Sequence, residues 1–146
     1  MTEGDCLEAF LSRDRHRIWL ACGWVRTCWD RAALRRLAEE RAQIAAATKG
    51  IDLGGMLRPN SLLLDRALRR LDHSLGDGCI CRLLPEDDLA NPRQVAEAGH
   101  LMLTEDRIDP ATGDGHLACT CRTCGAAYLV TEVMGYHYPW YRWERA

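Results

Sequence analysis

His116-Leu-Ala-Cys-Thr-Cys-Arg-Thr-Cys-Gly125 is the stretch that decides how this chain of 146 residues is read, together with Cys79-Ile-Cys81 far upstream of it. Two residues between Cys121 and Cys124 let the backbone turn sharply enough for both sulfurs to face one ion, and Gly125 takes a positive φ there at little steric cost. Cys79 and Cys81 offer a second pair. If 78–84 is a strand, alternate residues share a face, so both sulfurs point one way and Ile80 the other. Together Cys79, Cys81, Cys121 and Cys124 make the tetrahedral four-sulfur set expected of one structural Zn2+, with zinc-to-sulfur distances of about 2.3 Å.

Cys119 also precedes Cys121 by two residues and shares its strand face, so five thiols compete for four places. Cys119 stays open as an alternative to Cys121, and His116 as a nitrogen alternative. Five of the eight cysteines fall in these two tight groups, which scattered use of buried thiols in a core does not favour. The opening Met-Thr-Glu-Gly-Asp has neither the basic start nor the long apolar run of a secretory signal. A reducing, cytoplasmic setting is therefore expected, in which thiols stay available for metal rather than pairing as disulfides.

The longest strongly apolar run, 18–25, is eight residues, far short of the roughly 20 needed to cross a bilayer, so a soluble chain without membrane association is expected. With 47% hydrophobic and 27% charged residues the balance is that of an ordinary globular protein. Net charge is −2, unevenly divided: residues 1–78 carry 13 basic and 11 acidic side chains, and residues 79–146 carry 6 and 10. An acidic second half argues against binding nucleic acid there, since phosphate neutralisation needs clustered Lys and Arg.

Working outward, the first half reads as helical. Residues 5–11 make a short helix, and Ile18, Cys22, Val25 and Trp29 follow the spacing of one buried helical stripe. Asp30 caps or interrupts it. Residues 31–47 read as one further helix with Leu34, Leu37 and Ile44 inward, stopped at Lys49-Gly50. Residues 50–60 form a loop whose glycine pair, Gly54-Gly55, lacks the spacing of a phosphate loop. Ser61 is the expected N-cap of a helix carrying Leu64, Leu68, Leu71 and Leu75, which Gly76-Asp-Gly78 ends.

Beyond Gly78 the period moves toward two. Residues 79–84 and 100–108 read as strands, 85–92 as an acidic loop, 94–98 as one helical turn, and 109–115 as a turn. Residues 117–121 and 126–133 then form a hairpin across the Cys121–Gly125 knuckle. Residues 136–143 concentrate three tyrosines and two tryptophans, and read first as a closing segment, second as a recognition surface. The fold class is α+β: an N-terminal helical bundle, 1–78, packed on a small zinc-stapled antiparallel β unit, 79–146, in a single domain.

The Cys-x-x-Cys-Gly knuckle with a remote cysteine pair resembles the zinc-ribbon and zinc-knuckle families over residues 79–133. The upstream pair is Cys-x-Cys where ribbons usually carry Cys-x-x-Cys. In size and style the chain also resembles small bacterial immunity proteins that neutralise partner toxins. These resemblances imply a structural zinc, no catalytic residues and a protein partner, with an adaptor as a related role. Two alternatives remain: a metalloenzyme with an open Cys/His site, and an iron-thiolate electron carrier. Neither a His-Glu-x-x-His motif nor a deaminase-type Pro-Cys-x-x-Cys is present.

Overall fold

A computed structural model of the chain describes residues 1–56, 58–135 and 137–146, and shows a mixed α+β protein whose helices precede a four-stranded antiparallel sheet. The chain divides into two compact units, Met1–Ile80 and Cys81–Ala146. Leu57 and Tyr136, which fall in the expected 50–60 loop and the aromatic tail, lie outside the described residues.

In the first unit, each of the first three helices begins at a side-chain cap. For α1 (Glu3–Leu11), Thr2 Oγ1 accepts from the Asp5 amide while Asp5 accepts from the Thr2 amide, a reciprocal capping box. Asp14 caps α2 (Arg15–Thr27) by accepting from the amides of His16 and Arg17, and Asp30 caps α3 (Arg31–Glu39) through those of Ala32 and Ala33. The expected helix over 31–47 is in fact two, α3 and α4 (Arg41–Thr48), broken at Glu40. Every residue around the break is a good helix former, so the cause is packing: α3 lies mainly on α5 (Ser61–Leu75), α4 mainly on α1. Asn60, not Ser61, occupies the N-cap position of α5, and Ser61 is its first residue.

Phe10, Ile18, Cys22, Val25, Leu34, Ile44 and Leu71 are completely buried at the centre of this unit. Cys22 and Cys6 are ordinary core thiols whose pKa burial pushes up to about 12. Leu75, expected on the inward stripe of α5, is instead exposed, and Arg70 is buried in the same helix. Arg70 donates to the Cys28 carbonyl from Nε at 3.1 Å and from Nη2 at 2.6 Å, with its guanidinium 5.5 Å from the centre of the Trp29 ring. A buried charge is tolerable there because it is hydrogen-bonded and lies on an aromatic face. Arg31 and Arg35 of α3 both reach the Gly76 carbonyl, placing positive charge at the C-terminal end of α5.

Residues 80–86 are not a strand but a 3-10 helix, Ile80–Glu86. Pro85 cannot donate to a ladder, and the turn buries Ile80, Cys81 and Leu84 by a spacing near three rather than two. After α6 (Pro92–Glu97) come β1 (Leu101–Ile108), β2 (Gly115–Cys121), β3 (Ala127–Met134) and β4 (Pro139–Arg145), in that order across the sheet. The expected hairpin over the knuckle is present, with Cys119 opposite Tyr128 and Leu117 opposite Val130. Part of the aromatic tail closes the sheet as β4, with Tyr141 and Trp143 buried. Trp143 Nε1 donates to the Ala90 carbonyl at 3.1 Å and the Tyr141 amide to that of Asp88 at 2.8 Å, so residues 88–90 cover the outer edge of β4.

A bulge at Thr104 changes which residues of β1 face inward: Leu103 pairs with Cys119, but Glu105 pairs with Ala118. The extra residue reverses the alternation and brings Asp106 to the inner side, opposite Leu117. There Arg93 grips it with two hydrogen bonds of 2.8 Å and holds Glu132 at 2.6 Å. Gly115 leaves room for Glu132, whose Oε2 would lie 2.8 Å from a Cβ added at that glycine.

Candidate metal centre

The knuckle follows from local backbone chemistry. β2 ends at Cys121, whose amide donates to the Ala126 carbonyl at 2.8 Å and whose carbonyl accepts from the Gly125 amide at 2.9 Å. This tight return requires the left-handed conformation that Gly125 adopts, with φ 74°. Cys121 is buried at the end of the inner face of the sheet, and Cys124 lies exposed on the turn.

The division between the two units falls inside the Cys-Ile-Cys motif, two residues of which, Ile80 and Cys81, belong to the 3-10 helix. Cys81 is fully buried, and Cys79, half-buried, immediately precedes that helix. Their sulfurs meet because the backbone coils there, not because they share the face of a strand. The His73 ring lies 3.0 Å from the Cys79 carbonyl through Nε2.

The ligand atoms of Cys79, Cys81, Cys121 and Cys124 all lie within 4.8 Å of one another. Four sulfurs at about 2.3 Å from one ion have edges of about 3.8 Å, so the set is of the right size for tetrahedral thiolate coordination. Cys81 Sγ and Cys124 Sγ are 3.4 Å apart, well beyond the bond length of about 2.05 Å in a disulfide. These four cysteines could hold a metal ion.

The two alternatives from the sequence are not in this group. Cys119 is buried one inward position before Cys121 in β2, between Leu103 and Tyr128, where burial and then the neighbouring Cys121 push its pKa to about 11. His116 sits at an outward position of β2, beside a shallow depression of about 200 Å³ lined in part by Glu105, Arg107 and Leu129. Strand alternation alone separates it from the cysteines.

Tyr128 is the residue that reading the sequence missed. Its hydroxyl donates to the Cys81 carbonyl at 3.0 Å and approaches Cys81 Sγ at 3.3 Å. Burial, then the hydrogen bond to Cys81, raises the tyrosine pKa, so it remains a donor through the physiological range. It therefore ties the 3-10 helix to the sheet and holds the Cys81 sulfur in place, as groups behind a metal's direct ligands typically do for the ligands they touch. The signal was its place as the first inward residue of β3 after the knuckle.

The chain matches no protein-family model, no curated protein and no solved structure. Among the described residues, no helix is long and apolar enough to cross a membrane.

Proposed function

We propose that this chain is a non-catalytic, zinc-stabilised protein-binding protein of the immunity or adaptor kind. The observation that supports it best is the convergence of Cys79, Cys81, Cys121 and Cys124 to within 4.8 Å. Four thiolates around one zinc leave no coordination position for water, so such a centre organises structure instead of activating a nucleophile. Soft sulfur donors in a tetrahedral set suit zinc or iron, and zinc is the one that adds stability without redox chemistry.

The protein-binding part rests on the outer face of the sheet. Met102, Leu129 and Trp140 project there, 47%, 52% and 46% exposed. Arg142 is exposed on the same face. Aromatic residues, Met and Arg are the types enriched where proteins recognise each other.

The deciding experiment is elemental analysis of protein purified from its own host, with copurifying chains identified by mass spectrometry. One equivalent of zinc in a colourless protein, with a stoichiometric partner that Leu129→Arg releases, is the expected result. A coloured iron protein would overturn the zinc assignment. A zinc-bound monomer that copurifies with nothing would overturn the binding role.

A further inference from the structure

A cleft of about 550 Å³ opens on the helical unit, away from the cysteines, between the first turns of α2 and the loop that leads into α5. Arg15, His16 and Trp19 form one wall, and the segment 53–55 with Asn60 forms the other. Its size falls in the range of small-molecule sites, roughly 300 to 1,000 Å³.

Among the described residues, no side chain lining the cleft is acidic. Arg15 is exposed, and its guanidinium has no ion-pair partner among the described residues. Asp14, its neighbour in the chain, is already engaged, accepting from the amides of His16 and Arg17 at 2.9 Å each. Asp52, next to the facing segment, is likewise engaged, accepting from the Gly54 amide at 2.8 Å, so the Arg15 cation is held beside the cleft without a paired carboxylate among the described residues. Arg17, by contrast, is paired with Glu8 at 2.8 Å.

Trp19 is 41% exposed, high for an indole. The His16 ring lies 6.1 Å from it and only 16° from parallel, so the two rings present their faces in nearly one orientation. Across the cleft the wall is backbone: Gly54 and Gly55 both have positive φ, 69° and 114°. At Gly55 an added Cβ would collide with the Arg58 carbonyl oxygen, so that position admits no side chain. Asn60 donates through Nδ2 to the Leu53 carbonyl at 2.9 Å, which fixes its amide and leaves Oδ1 as an acceptor.

We propose that this cleft binds a small planar aromatic anion, its ring lying on Trp19 and its anionic group on the Arg15 guanidinium. A flat ring gains from an exposed indole face, and a carboxylate or phosphate matches the fork of an arginine. The glycine wall, whose Gly54 amide is taken by Asp52 Oδ1, lets a flat ligand lie close against the backbone. The inference does not depend on the metal centre, since each lining residue belongs to Met1–Ile80 and none is a proposed ligand.

Titration calorimetry of the full-length, zinc-loaded protein tests it with four probes. Adenosine monophosphate carries a ring and a phosphate, and indole-3-carboxylate a ring and a carboxylate. Adenosine supplies the ring alone and inorganic phosphate the charge alone. Binding of at least one of the two ring-bearing anions is expected, at least tenfold tighter than either part, and whichever binds identifies the anionic group. Arg15→Gln and Trp19→Ala, both at exposed positions, should each weaken it at least tenfold while leaving the far-ultraviolet circular dichroism unchanged. Arg15→Lys and Trp19→Phe serve as the readout should either first variant misfold. The proposal is overturned if neither ring-bearing anion binds, if free phosphate or adenosine binds as tightly, or if both substitutions leave the affinity unchanged.

Discussion

The helical unit and the sheet unit solve the problem of stability with different materials. Phe10, Ile18, Val25, Leu34, Leu37, Ile44 and Leu71, each at most 1% exposed, converge in the first. In the second, the inner face of the sheet mixes Leu101, Leu117 and Val130 with Cys119, Cys121, Tyr128, Tyr141 and Trp143, and is crossed by the Arg93–Asp106–Glu132 cluster. A unit below about 70–80 residues seldom stabilises itself by apolar burial alone, and a metal staple is one common supplement. The contrast teaches that cysteines differ in meaning: Cys6 and Cys22 fill the core of the first unit, whereas Cys79, Cys81, Cys121 and Cys124 gather in a group that could hold a metal ion.

The sharpest way to break this contrast is to remove a ligand. Cys121→Ser is expected to abolish metal binding and unfold the sheet unit, because ion-binding free energies of about 10–16 kcal/mol in small zinc sites are folding free energy. Amide exchange should lose protection across β1 to β4 while the helices keep theirs; retained metal and melting temperature would point to Cys119 as the ligand. Cys119→Ala, conversely, should keep its metal by elemental analysis.

In the helical unit the equivalent injury is a cavity. Leu34→Ala should cost about 2–5 kcal/mol in chemical denaturation, with no change in metal content. A loss of metal there would mean that the two units do not have separate sources of stability.

Smaller effects refine the sheet unit. Tyr128→Phe removes the hydrogen bonds to Cys81 and should cost about 1 kcal/mol, with faster metal transfer to a colorimetric chelator. An unchanged transfer rate would confine Tyr128 to packing.

The Arg93–Asp106 pair should give the weakest signal. Arg93 holds the Asp106 carboxyl below its ordinary value of 3.8. A depressed carboxylate contributes stability above that value and loses it as the pH falls through the lower, folded-state pKa. The pair is about one-third exposed, so solvent screening limits the contribution to about 1 kcal/mol or less. Asp106→Asn should therefore lower stability at neutral pH and flatten the acid side of the stability curve below about pH 4. Parallel acid curves for the two proteins would show that the bidentate contact adds nothing.

Local rules were enough for much of this molecule. Asp30 is a cap because a short carboxylate reaches amides two and three residues ahead, and Gly125 closes the knuckle after β2 because the return needs a positive φ. The stripe Ile18, Cys22 and Val25, the 117–121 and 126–133 hairpin, and the two cysteine groups are equally visible as spacing. The aromatic tail could be read as a closing segment, though spacing gave no hint that Asp88 and Ala90 would cover its strand.

Other features depend on groups distant along the chain, and there local preference misleads. Cys79 and Cys81 were expected on a strand, yet the segment coils because Ile80, Cys81 and Leu84 are buried from a single short turn. The break at Glu40 lies within a run of good helix formers and answers to two different neighbouring helices. The bulge at Thr104 selects Asp106 rather than Glu105 for Arg93, and Tyr128 meets Cys81 across 47 positions of sequence. Side-chain spacing specifies what one segment presents on one face, so it determined the cysteine groups, the helical stripes and the hairpin. Which faces meet depends on packing among separate segments, and only the tertiary structure decided that.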